Sequence, residues 1–180
     1  MYLPSEDSYL LSNCVFDYLN RLDKSSLKKL KVLDMGSGTG IQAETCVKAG
    51  VNKENILTAD IDKESIKHLK SKGFKTIKTN LFSKIHKKFD LIIFNPPYLP
   101  KDEYTTKEIH GGKEGYEIII KFLNQAKNHL NKNGKILLLV SSLTKPEILK
   151  KKIYDYKITD IKLKRIFFEE LIVWQLELKT

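Results

Sequence analysis

Lys31-Val32-Leu33-Asp34-Met35-Gly36-Ser37-Gly38-Thr39-Gly40 reads as a short apolar strand that ends in an acid and runs into alternating glycines. Alternating glycines at a strand-to-helix turn let backbone N–H groups approach a ligand closely. The acid at the strand end can accept from a ligand amine or hydroxyl. A helix-like stretch, 41–49, follows. The next strand-like run, Asn55-Ile56-Leu57-Thr58-Ala59-Asp60, ends in a second acid 20 residues after Gly40. A carboxylate at that point meets ribose hydroxyls in a nucleoside-binding βαβ unit.

Outward from this unit, strands and helices alternate. The patterning predicts a leading helix capped by Ser5, with Glu6 and Asp7 in its first turn and an apolar stripe of Tyr9, Leu10, Val15, Phe16, Leu19 and Leu22. It then predicts strand 31–36, helix 39–49, strand 55–61, helix 63–72, strand 74–80, strand 89–95, a loop over 96–114, helix 115–131 ended by Asn133-Gly134, strand 134–142 and helix 144–153. Two last strand-like runs, 158–168 and 171–178, flank Glu169-Glu170 as an antiparallel pair. This order implies an α/β fold with a parallel sheet and helices on both faces.

With 180 residues, 41% of them hydrophobic, the chain fits one domain spanning 1–180. No stretch approaches the roughly 20 apolar residues of a membrane span, and the start is acidic where a signal peptide is basic, so the expected compartment is the cytoplasm. Cys14 and Cys46 lie in helix-like segments without metal-ligand spacing and read as buried thiols; no metal site is expected. Three histidines, His68, His86 and His129, read as surface residues, and His110 as a loop residue. The net charge of +10 invites a nucleic-acid partner, yet only Arg21 and Arg165 among 32 basic residues are arginine. A diffuse lysine excess reads better as a solvated basic surface than as a base-reading face.

The segment with the most specific chemistry is Asn95-Pro96-Pro97-Tyr98, directly after the apolar run Phe89-Asp90-Leu91-Ile92-Ile93-Phe94. Each proline pushes the residue before it toward extended backbone, which aims the Asn95 side-chain oxygen and the Pro96 carbonyl. Two such acceptors can hold a planar NH2 group, and Tyr98 offers a flat face for stacking. An amide nitrogen is a poor nucleophile until its lone pair is localised. Hydrogen bonds from both N–H groups orient that lone pair toward an electrophile held roughly 3–3.5 Å away. No general base is needed, because an N-alkylated amide cation is strongly acidic.

Read together, the glycine turn, the second acid and Asn95-Pro96-Pro97-Tyr98 resemble a class I S-adenosylmethionine-dependent methyltransferase acting on amide or exocyclic amino nitrogen. Tyr2-Leu3-Pro4-Ser5-Glu6-Asp7-Ser8-Tyr9-Leu10-Leu11 and Gly111-Gly112-Lys113-Glu114-Gly115-Tyr116-Glu117 narrow the resemblance to the HemK-like glutamine methyltransferases that modify the GGQ motif of translation release factors. The resemblance covers essentially the whole chain. It implies a Rossmann-like seven-stranded sheet of order 3-2-1-4-5-7-6 with strand 7 antiparallel. It also implies the short archaeal and eukaryotic form, which lacks the bacterial N-terminal helical domain and pairs with a small zinc-binding activator as a heterodimer.

Carried over to this sequence, the resemblance implies that Asp34, Gly36 and Gly38 line the methionine part of S-adenosylmethionine and that Ser8 closes over it. Asp60 holds the ribose hydroxyls, and Asn80 and Leu81 flank the adenine. Position 80 departs from the family, which usually has Asp there. Asn95, Pro96, Pro97 and Tyr98 form the catalytic segment, with Asn95 also bordering the cofactor, and loop 99–114 faces the substrate. The predicted edge strand 74–79 is the place for the activator, unless its lysines only guard it against aggregation. Other acceptors for the same chemistry are adenine or guanine amino groups in RNA or DNA, or protein lysine. A non-catalytic scaffold that binds the cofactor is the alternative of a different class.

Overall fold

The computed structural model describes residues 3–99, 111–166 and 169–179. In chain order the elements are α1 (Glu6–Leu19), α2 (Lys24–Lys29), β1 (Val32–Met35), α3 (Ile41–Ala49), β2 (Ile56–Asp60), α4 (Lys63–Ser71), β3 (Lys75–Lys78), β4 (Phe89–Phe94), α5 (Glu117–Ala126), β5 (Leu130–Ser141), α6 (Pro146–Lys152), β6 (Tyr156–Ile166) and β7 (Glu169–Leu178). The seven strands form one sheet in the order β3-β2-β1-β4-β5-β7-β6. Strands β1 to β5 pair in parallel, and β7 is antiparallel to both β5 and β6. This is the order implied by the family resemblance.

Strand pleating divides the core into two layers. Leu91, Ile93, Leu137, Leu139, Leu171 and Val173 pack with α1 and α3, through Leu11, Val15 and Ala43. Ile92, Phe94, Ile136, Leu138, Trp174 and Leu176 pack on the opposite face with Ile119, Phe122 and Leu149 of α5 and α6. Residues 136–140, apolar on both faces, are fully buried, as a central strand covered on both sides requires.

Several boundaries differ from the sequence reading. Ser5 occupies the N-cap of α1 without a side-chain capping bond, and the buried stripe is Leu10, Leu11, Cys14, Val15 and Leu19, whereas Tyr9 and Phe16 are exposed. Six-residue α2 is unforeseen because it carries no apolar period. Its stability comes from Asp23, whose side chain accepts from the Ser25 and Ser26 amides. Helix α5 ends at Ala126, and Asn133-Gly134 lies inside β5. There the register against β4 jumps from Phe89↔Leu130 to Leu91↔Lys135, a bulge that uses the positive φ of Asn133 (64°). Gly134 is needed in that bulge, since a Cβ would sit 3.0 Å from the carbonyl oxygens of Asn131 and Phe89. Glu169 and Glu170 belong to β7, paired with Ile166 and Arg165, and do not separate the two strands.

Both cysteines are buried free thiols. His129 is no simple surface residue: its ring stacks on Phe82 at 4.5 Å and its Nδ1 lies 2.9 Å from the Lys87 carbonyl. His110 and Tyr2 lie outside the described residues, as does most of the loop read over 96–114. Among the described residues, no helix is long and apolar enough to cross a membrane.

Candidate active site

Strand order reverses at β1, which has β2 on one side and β4 on the other. In open α/β sheets, ligands bind at the carboxyl ends of the strands at such a switch point. The glycine turn leaves the end of β1 and Asn95 leaves the end of β4. Met35 and Phe94 are register partners, so the two segments emerge side by side.

Gly36, Gly38 and Gly40 all have positive φ (62°, 52° and 86°), a conformation that other residues adopt only with strain. The turn is stitched to the end of β2. The Ser37 amide donates to the Ala59 carbonyl at 3.1 Å, and the Ser37 hydroxyl donates to the Asp34 carbonyl at 2.6 Å and accepts from the Ala59 amide at 3.0 Å. The Gly38 amide donates to Asp60 Oδ2 at 2.8 Å, and the Gly40 amide to the Ser37 carbonyl at 2.7 Å. Three amides of the turn are therefore already bonded, those of Ser37 and Gly38 to the end of β2 and that of Gly40 within the turn. The glycines serve by their backbone conformation, and Gly36 also by its size: a Cβ would lie 3.1 Å from the Phe94 ring. Asp60 is half-buried, with Oδ1 accepting from the Asp62 amide at 2.9 Å. Each of its oxygens keeps a lone pair for a hydroxyl.

Asp34 is 1% exposed, and its Oδ2 accepts from the Ala43 amide at 3.2 Å. Burial pushes its carboxyl up to about 8, and the nearby Asp60 charge pushes the same way. In the unfolded chain this group ionises near its ordinary value of about 4. Between those values the folded protein holds a proton that the unfolded chain has lost, so stability falls as pH rises, by at most about 1.4 kcal/mol per pH unit. Asp34→Asn has no such proton. Without ligand, the melting temperature of the variant minus that of the wild type is expected to increase from pH 5 to pH 8. A difference that stays flat across that range would contradict the assignment.

Helix α1 lies across both segments. Asp7 and Ser8 are 3% and 4% exposed although they occupy the first turn of a surface helix. The Ser8 carbonyl accepts from Gln42 Nε2 of α3 at 2.9 Å. Asn95 Nδ2 donates to Asp7 Oδ2 at 3.1 Å and to the Ser8 hydroxyl at 3.4 Å, and the Tyr98 hydroxyl lies 3.5 Å from Asp7 Oδ2. At the other end of the same amide, Asn95 Oδ1 is buried and has no hydrogen-bond partner. Leaving such an acceptor desolvated costs about 1–3 kcal/mol, a cost a fold tolerates where a ligand completes the bond. Pro96 is buried behind it.

The remaining site positions lie farther out. Asn80 is exposed just past β3, and Leu81 is half-buried with φ of 49°, a strained conformation for a leucine. The Thr79 amide ties this segment to the Asp60 carbonyl at 2.9 Å. Ile61, which the sequence reading missed, is 63% exposed directly after Asp60 and offers an apolar face beside the two. Gly111 falls in the loop expected to face the substrate. It is buried, its amide donates to the Leu99 carbonyl at 2.8 Å, and its ideal Cβ position lies 2.6 Å from the Pro97 carbonyl oxygen.

The residues from 17 to 164 match the family model described as the methyltransferase small domain. This chain belongs to that family. The methyltransferase is 35% identical to a protein of Methanocaldococcus jannaschii named as a candidate protein N5-glutamine methyltransferase, an alignment covering 98% of this chain and 92% of the relative. It is 36% identical to the release factor glutamine methyltransferase of Borreliella burgdorferi over 76% of its own length, but spans only 51% of that protein. Among solved structures it superposes with a TM-score of 0.77 and 25% identity on a chain of the E. cuniculi Mtq2–Trm112 complex, responsible for methylating the translation termination factor eRF1, covering 99% of this chain and 98% of the other.

Proposed function

We propose that this methyltransferase transfers a methyl group from S-adenosylmethionine to the side-chain nitrogen of the glutamine in the GGQ motif of a translation release factor. The observation that carries the reading is Asn95 Oδ1, a buried acceptor without a partner, placed beside the glycine turn while the other end of its amide is tied down. Such an acceptor suits the N–H of a planar amide. The relatives named for glutamine methylation support that acceptor over a nucleobase or lysine.

The site fits the cofactor. A turn of three positive-φ glycines exposes backbone at the end of β1, both Asp60 oxygens keep lone pairs for vicinal hydroxyls, and exposed Ile61 can cover a flat ring. Asp34, Gly36, Gly38 and Ser8 would border its methionine part, Asp60 its ribose, and Asn80 and Leu81 its adenine. When bound, S-adenosylmethionine supplies an electrophilic methyl group on a sulfonium. The chain's own part is to orient the acceptor. Asn95 Oδ1 and the Pro96 carbonyl would each take one N–H, which raises electron density on the nitrogen and orients its lone pair toward the glycine turn. Pro97 holds Pro96 extended and Tyr98 walls the site against α1.

The same reading takes residues 1–180 as one catalytic domain working in the cytoplasm. It places a small zinc-binding activator on β3, whose outer edge is unpaired in the sheet and whose Thr76 and Ile77 are only half-buried. The test is methyl transfer from labelled cofactor to purified release factor, total RNA and DNA, by the chain alone and with such an activator. Release factor is expected to label, and its GGQ→GGN variant is not. Label confined to RNA or DNA overturns the acceptor, and equal rates with and without the activator remove the partner.

A further inference from the structure

We infer that Asp7 is a positioning residue that fixes which end of the Asn95 side-chain amide faces the acceptor. The inference rests on the reading of Asn95 given above and adds what makes it work. A carboxamide is nearly symmetric in shape, and a half-turn about its last bond exchanges an acceptor oxygen for a donor NH2. Bonds to neighbours alone determine which is presented. If Asn95 presented NH2 to an incoming NH2 group, two donors would face each other and transfer would stop.

The geometry around Asp7 leaves one solution. Its Oδ1 accepts from the Ser8 amide at 2.6 Å and from the Ser8 hydroxyl at 3.1 Å. Its Oδ2 therefore faces Asn95 Nδ2 at 3.1 Å. A carboxylate offers acceptors at both ends, so both N–H partners are satisfied only when the NH2 end of Asn95 points to Asp7. Oδ1 of Asn95 is then left at the far end, buried and unpartnered. The two residues stand 88 positions apart in the chain, and burial of Asp7 to 3% exposure protects the contact from water.

Two substitutions separate orientation from packing, because they predict opposite rankings. Asp7→Asn keeps the shape but replaces one oxygen by NH2. The Ser8 amide is fixed backbone and keeps the remaining oxygen, so the new NH2 faces Asn95, whose amide turns over to present its oxygen. Asp7→Ala leaves a gap but dictates no orientation, so part of the population stays competent. Turnover is expected to fall about 100-fold in Asp7→Asn and about tenfold in Asp7→Ala, in the range for loss of one organised polar contact. Cofactor affinity stays within about threefold in both. A residue that merely fills space gives the reverse ranking, and either that ranking or equal losses would overturn the inference.

An NMR readout keeps the result independent of the acceptor. In the wild type, the Asn95 side-chain NH2 protons are expected to show NOEs to protons of Ser8 and Tyr98, and in Asp7→Asn these vanish. NOEs that persist in the variant sink the role of Asp7. Wild-type protein that fails to label release factor defeats only the proposed acceptor, with the NOE pattern still deciding Asp7.

Discussion

Replacing Asn95 by alanine is expected to lower the rate of methyl transfer by at least about 1,000-fold while leaving cofactor affinity within about threefold. Loss of one preorganised group alone costs roughly 100- to 1,000-fold. Here the same side chain sets the approach of the acceptor as well, so the larger figure applies. The change removes the unpartnered Oδ1 together with the bonds from Nδ2 to Asp7 and Ser8. The first loss relieves a desolvated acceptor and the second takes one donor from the buried Asp7 carboxyl, which keeps its bonds from Ser8, so the effects on folding offset and the melting temperature changes little. Single-turnover transfer from labelled cofactor, with equilibrium cofactor binding on the same samples, measures both quantities. Transfer within tenfold of wild type would remove Asn95 from the chemistry.

The second large effect is expected from one methyl group. In Gly111→Ala the new Cβ would lie 2.2 Å from the Gly115 carbonyl oxygen, 2.6 Å from the Pro97 carbonyl oxygen and 2.8 Å from the Gly115 carbonyl carbon. All three atoms are backbone, so no rotamer change relieves the overlap. Either the stretch 111–116 lifts away from Pro97, or Pro97 moves and re-aims the Pro96 carbonyl. Transfer is expected to fall about 100-fold, a loss typical of displacing a reacting group by about 1 Å. Cofactor affinity should hold, since the atoms the new Cβ meets belong to Pro97 and Gly115 and none to the glycine turn. By contrast, Gly73→Ala places a Cβ at a positive φ of 76° but meets only the end of the Lys53 side chain at 3.4 Å, so its cost is confined to stability. Equal activity losses in the two variants would mean that Gly111 matters only for folding.

Much of the architecture is legible in the chain because its signals are local. An apolar run, an acid and alternating glycines make a strand and turn wherever they occur, and β1, β2, β4 and the core of β5 lie within a residue or two of where their patterns put them. What escaped reading depends on partners distant in sequence. The Asp7 carboxyl looks like an ordinary first-turn acid until α1 folds across Asn95. Gly111 belongs to a segment singled out by resemblance, but its close approach to the Pro97 carbonyl has no signature in sequence. The start of β5 was misplaced because Asn133-Gly134 is a helix-stop signal in isolation and a bulge when paired with β4. Asn80 and Leu81 are named by family resemblance alone, and the strained φ of Leu81 has no signature in sequence.

The bond from the Gly111 amide to the Leu99 carbonyl has a consequence for divergence. It brings the two ends of residues 100–110 to one point, so that stretch begins and finishes at a fixed socket. Between fixed ends, doubling the length of a connecting segment costs only about 0.6 kcal/mol. Insertions, deletions or wholesale exchange at this socket would leave Asn95, the glycine turn and both core layers where they are. A change in the number or kind of residues between Leu99 and Gly111 is thus the least disruptive way for this chain to diverge.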